Sequence, residues 1–476
     1  MAFKYNFKTT IMKPILLYTH LKPFLAFLVL LNLILTGCES FIEVDLPPGQ
    51  LTGAAVFTDL STAEAALTDI YALQRDQGIL SGGRSGIASN LALYADTYEQ
   101  FGSQSSDPYF FFTHSVSPDT RTIANFWNTS FNSIYAANAL IKGIPGSDAL
   151  DATAAERPLG EAYFIRGLMH FYLSNLFGPI PYVTTTDYRV NQELSKKPVD
   201  EVYTQVVRDL IQAEALIPES YSSAERTRPN AFAVKALLAR VYLYQGEWQK
   251  AYDKAGEVLA SELYTLDIPL DQLFLKESKN TLWQFMPQNA GANTLEGRNF
   301  ILSVLGSNYA AFNPDFVTSF EPGDLRIESW IDSITQNGIT AYFPIKYREE
   351  LSTASSLEYS KVLRLGELYL IRAEAAWRLN RIPQALADLN AIRLRAGLSS
   401  LNAATSEELE DLILSERRAE LFTEFGHRWF DLKRWDKAES VLQESKPGWG
   451  AQSYLLPIPE TELGANPNLL PQNPGY

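Results

Sequence analysis

Aromatic rings and side-chain amides gather in two stretches of this chain that lack helical periodicity. The first, Ser81 to His114, carries Phe101, Tyr109 and Phe110 within GGRSG and FGSQSSDPYFFF. The second, about Tyr264 to Ser360, carries Asn289, Asn293, Arg298, Asn308, Tyr309 and Trp330. A flat ring offers an apolar face, and an amide or guanidinium offers donors in its own plane. Together such groups hold a ligand without breaking a bond in it, and they act most often from loops on a rigid scaffold. Residues suited to covalent chemistry are missing by contrast. The four histidines, His20, His114, His170 and His427, fall at no zinc-binding spacing, and there is no GxSxG, P-loop or GxGxxG. Carboxylates are abundant, but on an acidic helical chain they form a solvated face, and their spacing defines no glycosidase dyad. The expectation is a binding protein, not an enzyme, with no cofactor and no metal.

Cys38 is the single cysteine, so no internal disulfide forms. It closes the run Leu35-Thr36-Gly37-Cys38 behind an apolar stretch, Phe24 to Leu35, and four lysines. A basic start, a short apolar core and small residues before a cleavage point describe a secretory leader. The apolar run is shorter than the roughly 20 residues a membrane-spanning helix needs. Leu-x-Gly-Cys resembles the bacterial lipobox, in which the cysteine sulfur forms a thioether to diacylglycerol and becomes the mature N-terminus. Residues 1–37 are therefore expected to be a lipoprotein signal peptide, Cys38 the lipidation site, and the polar, Pro-containing ESFIEVDLPPGQL a tether.

These groups need a large scaffold. The chain has 476 residues, 46% of them hydrophobic and 20% charged, which fits a folded globular protein. Net charge is −15, and removing the four leader lysines leaves 36 basic against 55 acidic residues, a balance of −19. With no basic stripe to offset it, that surface repels nucleic acid.

Amphipathic helices are predicted from Ser61, where Ser61 and Glu64 have capping-box spacing, and over Asn125–Ile144, Glu161–Val183 (stopped at Gly178-Pro179) and Asp200–Pro218. Two later segments repeat one another, one spanning 232–260 and the other 366–395. Their alignment pairs Ala239 with Ala373, Gly246 with Asn380 and Ala251 with Ala385. Small residues let two helices touch, and Gly or Asn ends the first helix at a positive φ. The spacing is that of a tetratricopeptide hairpin. Between the hairpins, about 264–360, lies an irregular loop-and-short-strand insertion in which TLWQF (Thr281–Phe285) is a strand and Trp283 belongs to the core. The Pro/Asn/Gly-rich tail from Leu455 to Tyr476 keeps Leu456, Ile458 and Leu469 between its breakers, so it straps onto a body.

The order of these pieces resembles the SusD/RagB family, outer-membrane nutrient-binding lipoproteins of Bacteroidetes. The lipobox comes first, then FTDLSTAEAALTDIY, EAYFIRGLMHFYLSNLFGPIPYV, RPNAFAVKALLARVYLYQGEWQKA, LRLGELYLIRAEA with LNAIRLRAGL, SERRAELFTEFGHRWFDLKRW and PIPETELGANPNLLPQNPGY. The resemblance implies a mainly α, SusD-like domain over 38–476. Four tetratricopeptide-like helix pairs would carry a less regular ligand-binding half. It also implies a lipid anchor on the cell-surface side of the outer membrane, a SusC-like TonB-dependent transporter as partner, and an oligosaccharide ligand or, in some branches, a peptide. A tetratricopeptide scaffold that grips only protein is the remaining alternative. Arg428, Trp429, Asp431 and Arg434 are then expected to form an internal network. No family motif carries the ligand residues, so the loop aromatics and amides named above stand as the candidates.

Overall fold

The computed structural model describes Phe57, residues 59–402 and residues 405–476; the leader, Cys38 and the tether lie outside them. Helices dominate. Helix α1 (Leu60–Asp76) is capped by Asp59, whose side chain accepts from Ser61 N, so the expected Ser61–Glu64 box is replaced by an Asx cap two residues earlier. Helix α2 (Ile87–Tyr94), strand β1 (Tyr98–Phe101) and helix α3 (Asp107–Thr113) follow. The stretch read as loop is thus half helical, because Asp107 and Pro108 supply an acidic first turn and a Pro suited to it. Then come α4 (Arg121–Gly143), α5 (Ala152–Phe177), α6 (Val199–Leu216), α7 (Ala231–Gln245) and α8 (Trp248–Leu259). Gly178 stops α5 at φ 75°.

The longer helices pack in succession, α4 on α1, α5 on α4, α6 on α5, α7 on α6 and α8 on α7. The second hairpin, α10 (Leu365–Arg378) with α11 (Ile382–Arg395), continues the stack by laying α10 against α8. Ala239, Ala251, Ala373 and Ala385 are all 0% exposed, where larger side chains would separate the helices. Gly246 and Asn380 end the first helix of each hairpin at φ 75° and 58°, as the spacing predicted. Helices α12 (Ser406–Leu421) and α13 (His427–Arg434) complete the scaffold.

Between the hairpins the chain is short-stepped. Strand β2 (Thr281–Phe285) is buried throughout and pairs antiparallel with β6 (Ser360–Arg364); Trp283 is 0% exposed, as expected of core. Helix α9 (Leu295–Phe300) precedes β3 (Tyr309–Phe312), and β4 (Ile331–Gln336) forms a hairpin with β5 (Ile339–Pro344). Helical turns at Pro314–Thr318 and Leu325–Trp330 make this half less loop-like than its composition suggests.

The tail is strapped down. Leu456, Ile458 and Leu469 are buried, Leu456 N donates to Leu176 O at 2.8 Å, and Asn473 Nδ2 donates to Phe177 O and Leu456 O at 2.8 and 2.7 Å. The breakers keep this segment out of helix and sheet, so its amide side chains supply the hydrogen bonds that regular structure would otherwise provide.

Candidate functional site

The two irregular regions meet. Strand β1 from the first pairs antiparallel with β3 from the second, setting Tyr98 opposite Phe312 and Phe101 opposite Tyr309. At the open end of this ribbon the Phe101 and Tyr309 rings stack with centroids 4.9 Å apart and planes 19° apart. Phe101 is 39% exposed, so one face of a preassembled ring pair is offered to solvent. Gln100 Nε2 donates to Asn308 Oδ1 at 2.6 Å and ties the strand to the loop before β3. Gly102, at φ 106°, lets the chain pass Ser307 O, where a Cβ would come within 2.1 Å. At the other end Tyr98 stacks on Phe312 at 4.9 Å and is buried, so the ribbon is rooted in the core.

Beside the ribbon lie two adjoining pockets that share Arg298 and Glu350 in their walls. The first has a volume of about 500 Å³ and is lined by Asn289, Asn293, Gln288, Arg75 and Glu296, among others. Asn289 is exposed there. Asn293 is a loop staple: its Nδ2 donates to Leu351 O and Thr353 Oγ1, both at 3.0 Å, and its Oδ1 accepts from Leu357 N and Glu358 N. It shapes the pocket and has little capacity left for a ligand. Arg75 is held by Asp76 and by Met286 O. Glu296 lies at the floor, 4% exposed, where Oε1 accepts from the Ser360 hydroxyl and Oε2 has no partner. Burial pushes its carboxyl up to about 7, against the lowering effect of the Ser360 bond. A Cβ on Gly82 would fall 2.0 Å from that carboxylate, which is why the glycine-rich loop can close over it.

The second pocket has a volume of about 340 Å³ and lies against the ribbon itself. Asn308, Tyr309, Arg298 and Gln100 line it, with Arg84, Asn299 and Pro108. Of the nine sequence candidates, Asn289, Asn293, Arg298, Asn308 and Tyr309 line one pocket or the other, and Phe101 stacks on Tyr309. Tyr109 and Phe110 sit half-buried on α3 and line neither pocket, although Pro108 of the same turn does. Trp330 must be withdrawn. It is 0% exposed, donates Nε1–H to Leu270 O at 3.0 Å, and packs edge-on against Phe274 and Phe422 beneath the Lys346 ammonium. Arg84, Asn299, Glu296 and Gln288 were not singled out from sequence. Only Arg84 had a usable signal, a cation inside GGRSG.

The charged C-terminal motif belongs elsewhere. Arg434 pairs with Glu374 and Asp431, Arg417 pairs with Asp431, and Arg428 pairs with Asp96. Trp429 is 2% exposed between Tyr94 and Trp449. His427 is buried, which pushes its imidazole down to about 4 and keeps it neutral. This is the internal network expected from the sequence. Among the described residues no group of His, Cys, Asp and Glu could hold a metal ion, and no helix is long and apolar enough to cross a membrane.

Comparison with known proteins bears on this geometry. Residues 58–243 match the family described as "Starch-binding associating with outer membrane", and residues 328–476 match the SusD family. A SusD-like protein of Formosa agariphila is 29% identical, with 95% of this chain and 99% of that protein aligned. A laminarin-binding SusD-like protein of known structure is 26% identical with a TM-score of 0.73, covering 88% of this chain and 100% of that one. A SusD superfamily protein of Bacteroides vulgatus shares the fold at TM-score 0.77 and 20% identity, over 88% of this chain and 99% of that one.

Proposed function

The chain belongs to the SusD/RagB family, and from that premise we propose that it binds an oligosaccharide in the cleft beside the β1–β3 ribbon and passes it to a TonB-dependent transporter. One observation carries this assignment, the solvent-facing Phe101–Tyr309 ring pair, whose tyrosine lines the second of two adjoining pockets walled by amide and guanidinium side chains. Pyranose faces carry C–H groups that pack on such rings, and hydroxyls in the ring plane meet amide partners. A peptide site would instead present backbone donors in a deep slot. A scaffold gripping only protein would need no exposed ring pair on the irregular half. Similarity to a laminarin-binding relative supports the glycan assignment. The chain binds its ligand without cleaving it; its charged aromatic motif is consumed by internal ion pairs, and the cleft presents recognition groups.

The test is a glycan array on the mature chain followed by calorimetry. Hits should bind at micromolar or weaker affinity, on the order of −5 to −8 kcal/mol, and be recovered intact. Binding to peptides alone would move the assignment to the peptide branch. A protein partner on the helical hairpins with no glycan bound would replace it.

Delivery requires an anchor. Cys38 would carry the lipid and hold the protein on the outer face of the outer membrane. Cys38→Ala should yield unlipidated protein that is lost from the outer-membrane fraction. Retention of that variant on membranes from a strain lacking the transporter would overturn the anchor.

A further inference from the structure

The buried arginines of this protein are paired with carboxylates, as Arg240 is with Glu367 and Arg364 with Glu420 and Glu424. Arg84 and Arg298 both line the second pocket, both are exposed, and neither guanidinium has a hydrogen-bond or ion-pair partner among the described residues. Arg298 is bonded to no carboxylate: Glu350, in the shared wall, accepts from the Ser303 hydroxyl, and Glu296, which lines the first pocket and not the second, accepts from Ser360 through one oxygen while the other has no partner. A third donor points the same way. Asn299 Nδ2 is buried at the pocket without any partner, a state that costs free energy until something accepts from it. Asn308 adds a fourth, since its Oδ1 is occupied by Gln100 while its amide nitrogen has no partner. The pocket therefore sets two guanidinium groups and two amide donors against one occupied carboxylate. It does so in a protein whose overall charge is −15.

Neutral sugars donate as readily as they accept and would not require this imbalance. Donors without acceptors, two of them planar forks of fixed charge, match an oxyanion. Resting on the glycan assignment of the cleft, we propose that the second pocket is a subsite for an acidic group on the oligosaccharide, a carboxylate or a sulfate ester, gripped by Arg84, Arg298 and Asn299. The adjacent Tyr309 ring packs on the same sugar unit or its neighbour. The chain's overall negative field does not forbid this, because at physiological salt it is screened over about 8 Å, and contacts inside the pocket are shorter than that.

The probes are oligogalacturonides and sulfated galactan oligosaccharides, each with its carboxyl-reduced or desulfated counterpart, and neutral laminarin oligosaccharides. Calorimetry on the mature chain should give at least one acidic probe binding about tenfold or more tighter than its neutralised counterpart, the size expected for hydrogen bonds to a charged group. That preference should weaken with added salt. Which acidic series shows it distinguishes carboxylate from sulfate. Arg84→Ala and Arg298→Ala should each remove most of the preference, lowering the affinity for the acidic probe far more than for its neutralised counterpart, while leaving the melting temperature unchanged. Arg298→Lys should restore it only in part, since the fork is lost. Equal affinity for acidic and neutralised probes would overturn the subsite, as would an Arg84→Ala/Arg298→Ala double variant that binds the acidic probe like the parent. If laminarin oligosaccharides bind and acidic ones do not, the subsite fails and the glycan function stands. If no oligosaccharide binds, the function fails and the subsite falls with it.

Discussion

Glu420→Ala should destabilise the protein more than any change in the cleft, to the point that it is recovered poorly or melts far below the parent. Glu420 is 0% exposed and is the hub of an internal ion network. Its Oε1 accepts from Arg364 and Arg395, each at 2.5 Å, and its Oε2 from Arg326 at 3.3 Å. Its backbone carbonyl accepts from Lys346 and Arg364, both at 2.8 Å. Burial by itself would raise the carboxyl's pKa, but Arg395, Arg364 and Arg326 outweigh it and hold the group well below the usual carboxylate range. Removing the hub leaves three guanidinium groups short of countercharge in a dry interior. Breaking one buried pair costs about 3–5 kcal/mol, a large share of the ~5–15 kcal/mol that holds a typical domain folded. The sign of the pH dependence follows. A carboxyl whose pKa is depressed by folding contributes stability that is present above its unfolded pKa and lost as pH falls through the folded value. Parent stability should therefore decline on acidification below the ordinary glutamate range, and the variant should show less of that decline. Glu201→Ala is the control, because its bridge to Lys197 is solvent-exposed at 61% and 43% and such pairs contribute roughly 0–1 kcal/mol. Thermal denaturation of both variants across pH decides it. A Glu420→Ala protein that melts within a degree or two of the parent would show that the network is not the keystone described here.

That Glu420 lies within SERRAELFTEFGHRWFDLKRW, a motif ending in aromatic and cationic residues, explains what the sequence disclosed and what it hid. Charged residues beside tryptophans look like a site, but a helical scaffold also needs buried arginines to tie distant helices together, and the family resemblance tipped the motif toward scaffold. The hairpins were legible because their pattern is local: small residues at fixed offsets, and Gly246 or Asn380 where the backbone must turn left-handed. The tail was legible because breakers exclude regular structure while aliphatic residues between them still need burial. The cleft was only half legible. Loop composition singled out two regions, but nothing local says that β1 pairs with β3 and brings them together, since Gln100 and Asn308 are 208 residues apart in sequence. Trp330 illustrates the cost of reading locally. It follows Glu328 and Ser329, yet the short helix Leu325–Trp330 turns it inward against Phe274 and Phe422. Asn299 gave no signal at all, because an unpartnered buried amide exists only once the surrounding chain has closed around it.

Phe101→Ala with Tyr309→Ala should abolish measurable oligosaccharide binding and leave the fold intact. The two rings stack at 4.9 Å, each holding the other in place, so little ordering of the rings is left to be supplied on binding. A sugar face laid on a ring removes apolar area from water at about 25 cal/mol per Å². A contact of roughly 60 Å² per ring is then ~1.5 kcal/mol, or about tenfold in affinity for each ring lost. Starting from micromolar binding, the double variant should be about a hundredfold weaker, beyond the reach of routine calorimetry. The stability cost is expected to be small, since Phe101 is 39% exposed and Tyr309 is half-buried. Losing one exposed ring pair forfeits about 1 kcal/mol. Trp330→Ala should behave in the opposite way, costing about 3–5 kcal/mol of stability while any remaining folded protein binds as before. The two variants thus separate platform from core by paired measurements of melting temperature and affinity. Unchanged affinity in the folded Phe101/Tyr309 double variant would move the ligand away from the ribbon. A glycan reaching only the first pocket would then have to be held by Asn289, Gln288 and the unpartnered oxygen of Glu296, whose substitution by glutamine becomes the next variant to measure.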